Sequence, residues 1–120
     1  MSDAGFTPSV PHSRAPGAAP GVRRVIAVDH RDNVANALEP LRPGDTVDAL
    51  GRRVTVRTEV PTGHKVALAP IAAGAVVLKY GEPIGRASAP ILAGEHVHVH
   101  NVESLFTDWL AARGLAPARS

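Results

Sequence analysis

From Val22 onward the chain sets short apolar-rich runs between turn residues, and no run is long enough for more than a modest strand. Strand-type runs are read at 22–28, 46–50, 53–60, 64–69, 75–79, 83–87 and 95–100. The punctuation between them is Pro43-Gly44, Pro61-Thr62-Gly63, Ala73-Gly74, Tyr80-Gly81 and Ala93-Gly94, residues that pre-bend the backbone or admit positive φ. A pattern repeats along the chain. Leu41-x-x-Gly44-x-x-Val47, Ile71-x-x-Gly74-x-x-Val77 and Ile91-x-x-Gly94-x-x-Val97 share the form aliphatic-x-x-Gly-x-x-Val. Each predicts the same unit: an aliphatic anchor, a turn at Gly, and a Val that re-enters the core on the next strand. Two segments carry helical spacing instead. Residues 32–38 follow the capping residues Asp32 and Asn33, and residues 103–113 place Leu105, Phe106, Trp109 and Leu110 on one stripe. The expectation is a mostly β domain of short strands with one C-terminal helix.

The ends differ from this middle. Residues 1–21 hold Pro8, Pro11, Pro16 and Pro20 among Gly, Ala and Ser, which predicts a disordered leader. Residues 114–120 are expected to be a flexible tail, leaving 22–113 as the single folded domain of this 120-residue chain. With two Phe, one Tyr and one Trp, the core must rely on Val, Ile, Leu and Ala.

Composition then removes whole classes of chemistry. The chain has no cysteine, so disulfides, thiolate nucleophiles and Cys-ligated metal centres are excluded. Eleven Arg and two Lys stand against 11 acids, a formal net charge of +2. That is too weak and too dispersed for a nucleic-acid footprint, and an anionic small molecule suits it better. No signal peptide or membrane span is read, so a cytoplasmic protein with no membrane partner is expected.

The richest segment for chemistry is Glu95-His96-Val97-His98-Val99-His100-Asn101. On an extended strand the three imidazoles share one face, where they can grip a carboxylate, relay a proton or hold a metal. The same pattern also suits the plain polar face of a half-buried strand. Gly63-His64-Lys65 offers a turn followed by a cation, or else a surface hairpin. Residues 79–85, from Lys79-Tyr80-Gly81 to Gly85, read mainly as a structural reversal, and His30-Asp32-Asn33 mainly as a helix cap.

Taken in order, Asp32-Asn33-Val34-Ala35, Gly63-His64-Lys65-Val66-Ala67-Leu68, Ile71-x-x-Gly74, Lys79-Tyr80-Gly81-x-Pro83-Ile84-Gly85 and Ile91-x-x-Gly94-Glu95-His96-Val97-His98-x-His100-Asn101 resemble the N-terminal SAF-type domain of the altronate and galactarate dehydratases. The His-x-His-x-His-Asn run makes the altronate enzymes the nearer of the two. The resemblance implies a β-clip (SAF-like) fold. It also implies a small subunit of a sugar-acid hydro-lyase, with its site completed by a large catalytic subunit, as in relatives that act on sulfolactate. It further implies a divalent cation, iron or manganese, held mainly by that partner, and it singles out no metal ligand here. On this reading His64 and His98 are the catalytic candidates, and Lys65, His96, His100 and Asn101 the substrate-binding ones. A homo-oligomer is also compatible. Two rivals stand beside it: a stand-alone SAF-type module that binds a carbohydrate or a protein, and a purely structural subunit. The separating feature is whether the imidazoles gather around a cleft or splay over open surface.

Overall fold

The computed structural model describes residues 19–105 and 113–114. Among these, ten short strands form three small sheets. They are β1 (Val22–Arg23), β2 (Val25–Ile26), β3 (Val34–Ala37), β4 (Thr46–Ala49), β5 (Arg52–Thr55), β6 (Lys65–Ala67), β7 (Val76–Lys79), β8 (Glu82–Ala87), β9 (His96–Val97) and β10 (Val102–Glu103). A four-stranded antiparallel sheet runs β9-β6-β3-β2. A second sheet runs β10-β8-β7, and a third runs β1-β4-β5 with β1 parallel to β4. The first run, read as one strand over 22–28, is therefore two strands serving different sheets. They part at Arg24, whose N–H is taken by Glu39 Oε2 at 2.8 Å.

The repeat is real and has a fourth copy, Val60-x-x-Gly63-x-x-Val66. At all four corners the Gly has positive φ: +94° at Gly44, +85° at Gly63, +84° at Gly74 and +91° at Gly94. Each corner is closed by the N–H of the residue after Gly donating to the carbonyl of the residue two before it, at 3.0–3.1 Å for Asp45, His64 and Glu95 and 2.9 Å for Ala75. The Val three residues past each Gly, namely Val47, Val66, Val77 and Val97, is fully buried. The aliphatic anchors bridge in pairs, Leu41 with Val60 and Ile71 with Ile91.

These corners bracket two hairpins of matching design. β4 and β5 meet at Leu50-Gly51, with φ +56° and +76°, and β7 and β8 meet at Tyr80-Gly81, with φ +56° and +77°. Such two-residue loops match the right-handed twist of their strands. The hairpins differ by a bulge in the β7/β8 ladder between Val77 and Leu78, where one extra residue enters β8. The two chain halves therefore correspond with an offset of 30 residues before the bulge and 31 after it, as in Val47 to Val77 against Val60 to Ile91.

The 32–38 segment is not a helix. Val34, Ala35 and Ala37 lie buried in β3, at the middle of the four-stranded sheet. Val34 packs in one core cluster with Ala67, Ile71, Val77 and Val97. Ala35 and Ala37 pack in the other with Leu41, Val47, Val60 and Val66. A strand covered on both faces loses the apolar–polar alternation that marks strands in sequence. Asp32 is accordingly no helix cap. Its buried carboxylate accepts N–H bonds from Val28 and Asp29 at 3.2 Å and from Gly81 at 2.7 Å, fastening the second hairpin tip to the loop before β3.

The C-terminal helix read at 103–113 begins later than expected, because Val102 and Glu103 pair as β10 with Ala87 and Arg86 of β8. Leu105 is helical, and the rest of that expectation, 106–112, lies outside the described residues, as do residues 1–18 of the leader and most of the tail. Among the described residues no helix is long and apolar enough to cross a membrane.

Candidate functional site

The site grows from the pairing of β6 with β9. Val66 lies opposite His96 and Val97 opposite Lys65, so the same register carried outward sets His98 opposite His64. Side chains alternate along a strand, so His64 and His96 emerge on the face of Val66 while Lys65 emerges on the other. The 95–100 strand is shorter than read. It ends at Val97, and His98 to Asn101 form a turn closed by the Asn101 N–H to the His98 carbonyl at 3.1 Å.

Despite that turn the imidazoles gather. The His64 and His98 ring centroids lie 4.1 Å apart with planes 21° from parallel, and His64 to His96 spans 5.0 Å. His96 and His98 stack at 5.4 Å, and His100 joins at 5.1 Å from His96. His64 Nδ1 and His96 Nε2 are 2.9 Å apart, so they share one hydrogen between them. One ligand-type nitrogen from each of His64, His96 and His98 lies within 4.8 Å of the others.

This crowding sets the electrostatics. Burial, and then the neighbouring imidazoles and Lys65, push His96 down to about 4. Burial and the same cationic neighbours also lower His98. Lys65 is lowered by burial and by Lys79, so its ammonium is held at some cost and would gain from an anion. Both shifted imidazoles are therefore neutral at pH 7 and ready to accept a proton or a cation.

Two hollows flank the cluster. One, of about 290 Å³, is lined by Thr58, Glu59, Glu95, His96, His100 and Asn101. The other, of about 250 Å³, is lined by Lys65, Ile84, His98, Val99, Val102 and Ser104. A larger hollow of about 590 Å³ at Pro40, Arg42 and Pro61 holds none of the histidines.

All six residues expected from sequence thus fall in one region. Asn101 spends part of its amide on the turn, accepting from the His98 N–H at 3.0 Å and donating to the His96 carbonyl at 2.9 Å, so it also shapes the histidine loop. The sequence reading missed Thr58, whose hydroxyl accepts the His96 N–H at 2.9 Å, and Glu59 beside it. The sequence pattern puts them inside a strand over 53–60, but β5 ends at Thr55. His30 is not part of the region: its side chain is 91% exposed, on a loop with Asp29.

Residues 23–105 match the altronate/galactarate dehydratase SAF domain. The chain is 49% identical over 83 residues to altronate dehydratase of Escherichia coli strain K12, which covers 69% of this chain and 17% of that protein. It is 38% identical over 87 residues to altronate dehydratase of Bacillus subtilis strain 168, covering 72% of this chain and 18% of that protein. It is also 42% identical over 59 residues to the (2R)-sulfolactate sulfo-lyase subunit alpha of Paracoccus pantotrophus, 49% of this chain and 88% of that subunit. The chain therefore spans under a fifth of the two dehydratases, while its match to the sulfo-lyase subunit takes in most of that protein. With more than half its length inside the matched region, the chain belongs to the altronate/galactarate dehydratase SAF-domain family.

Proposed function

We propose that this chain contributes the substrate-facing histidines and a carboxylate-binding lysine to a sugar-acid hydro-lyase of the altronate dehydratase type, whose site is completed by a large catalytic subunit. The observation that carries the reading is the contact of His64 with His98, 4.1 Å between ring centroids, beside a hollow that Lys65 also lines. The histidines gather around hollows rather than splay, and this favours a reacting site over a passive binding module.

Dehydration of an aldonate removes the proton next to the carboxylate and expels hydroxide from the adjacent carbon, leaving an enol that becomes the 2-keto acid. The step needs a base, an acid for the leaving oxygen and something to hold the carboxylate. Lys65 meets the last need: its partly desolvated ammonium gains from a carboxylate seated in the hollow. His98, neutral at rest, takes up the proton removed next to the carboxylate, and the imidazolium so formed there, or at His64 behind it, passes a proton to the departing oxygen, while His96, His100 and Asn101 orient hydroxyls from the other hollow. Glu59 and Glu95 line the hollow of His96 and His100, and the remaining groups that the step needs are assigned to the partner. Exposed apolar residues at the rim, Val99 and Ile84, give that partner a surface to cover.

A divalent cation, when bound, would polarise the substrate's oxygens as a Lewis acid. The three imidazoles of His64, His96 and His98 fit such an ion as a partial nitrogen donor set with open positions.

The test recovers the tagged chain from its native extract and assays the complex on a panel of sugar acids and sulfolactate, with and without a chelator. Chelator-sensitive lyase activity that needs both chains, and falls at least 100-fold in His98→Gln with the complex intact, supports the reading; a general acid contributes about that much. A chain recovered alone, or with partners lacking lyase activity, would leave the stand-alone binding module as the better account.

A further inference from the structure

We propose that His64, His96 and His98 form a binding site for a late divalent transition metal on this chain itself, with the open side of the ion facing the two flanking hollows. The inference deepens the function proposed above and rests on that reading only for what the ion would act upon.

The ladder of β6 and β9 pairs His96 with Val66, and the same register carried one residue beyond each strand sets His64 opposite His98 on the face of His96. A site built on paired strands is held more firmly than one on free loops. His64 lies just before β6 and His98 just after β9, and His98 is held by Asn101, whose Oδ1 takes the His98 N–H while its Nδ2 donates to the His96 carbonyl. The two histidines at the β9 end are thereby tied together.

Distance comes next. Metal–imidazole bonds of about 2.0–2.1 Å place the nitrogens of neighbouring ligands roughly 3.0–3.5 Å apart. His64 Nδ1 and His96 Nε2 already stand 2.9 Å apart, and one ligand nitrogen from each of the three rings lies within 4.8 Å of the others. His64 and His98 are stacked, so their rings turn about the side-chain bonds when the three lone pairs converge on one ion.

Donor type then selects the ion. Three imidazole nitrogens with no carboxylate among them suit zinc, cobalt or iron in their divalent states, and poorly suit magnesium or calcium, which want oxygen. Three protein ligands with positions left over is the arrangement of a reacting site rather than a closed structural one. His96 lines one hollow and His98 the other, so a substrate in either reaches the same ion.

The decisive experiment titrates the full, untagged, metal-stripped chain with zinc chloride and, separately, cobalt chloride and magnesium chloride, with calorimetry and visible absorption as readouts. One equivalent of zinc and of cobalt is expected, with a cobalt absorption band characteristic of nitrogen ligation and no magnesium uptake. His64→Gln and His98→Gln should each weaken zinc binding at least tenfold, while His30→Gln leaves it unchanged. Should a variant fail to fold, nitrogen-15 NMR of the unaltered chain serves instead: zinc should move the ring signals of His64, His96 and His98 and leave those of His30. Absence of saturable one-to-one uptake, or uptake that ignores both site variants and moves none of the three rings, would overturn the proposal. The titration contains no substrate and no partner, so its failure leaves the lyase reading standing, and a complex without lyase activity leaves a measured metal site standing.

Discussion

The corners at Gly44 and Gly94 share one backbone and have opposite uses. At both, the acid after Gly accepts the N–H of the residue three before it: Asp45 Oδ2 takes that of Arg42, and Glu95 Oε1 that of Leu92, each at 2.8 Å. Asp45 is fully buried, and its other oxygen takes the Gly21 N–H and faces Arg23 at 3.5 Å, so the first corner fastens the start of the domain. Beyond Glu95 the chain instead sets His96 and His98 against His64, with His100 beside His96. One repeated scaffold element thus anchors the fold at one end and presents chemistry at the other, and the difference lies in side chains that the backbone repeat leaves free to vary.

The sharpest way to break this equivalence is at the corner glycines. Alanine at Gly94 needs a positive φ and drives its Cβ into the Thr55 carbonyl, whereas alanine at Gly74 has the same φ requirement with nothing within 4 Å. Gly74→Ala should cost about 1–2 kcal/mol, the penalty of the left-handed conformation alone. Gly94→Ala should cost about 3 kcal/mol or more, since overpacking adds to that penalty. Urea unfolding of the two variants checks the ordering, and equal costs would mean that the close approach at Gly94 is relieved by a shift of β5.

Next in size is the pair of acids. Asp45→Ala strands buried N–H groups and should cost about 2–3 kcal/mol. Glu95→Ala, at a solvent-facing bond, should stay within about 0.5 kcal/mol. The smallest effect concerns acid. Burial alone would raise the Asp32 carboxyl, but N–H bonds from Gly81, Asp29, Val28 and Tyr80 together hold it below its ordinary value. Its folded value is depressed, so its contribution is fully present above the unfolded carboxylate range near pH 4 and fades as pH falls through the lower folded value. Stability of Asp32→Asn should therefore be lower at neutral pH and flatter on acidification than that of the unaltered chain, which thermal melts across pH 2–6 would show.

Much of this was legible in the sequence because the signals were local. Gly with positive φ, an aliphatic three residues before and a Val three residues after mark a corner without tertiary knowledge, and the alternating histidines announced their cluster. What stayed hidden depended on contacts far along the chain. β3 reads as helical because its two faces are covered by residues outside its sheet, among them Val47 in one cluster and Ile71 and Val77 in the other. The register that sets His64 against His98 is likewise a pairing of distant strands. Thr58 joins the site only because the chain leaves β5 at Thr55, a boundary that an unbroken β-type run from 53 to 60 does not show.

The strand pairing that builds the histidine cluster also fixes when it can exist. The Leu50-Gly51 and Tyr80-Gly81 hairpins join neighbours in sequence and can close within microseconds of becoming available. The β6–β9 pairing must wait for a loop of about 30 residues to be drawn together, and for the second hairpin lying inside that loop. On a ribosome, His64 has emerged long before His98, so the nascent chain passes through a period in which its hairpins are formed and its imidazoles are still apart. Metal or substrate captured at the cluster can then act only on the last stage of folding, as a latch on β9 rather than a nucleus for the domain.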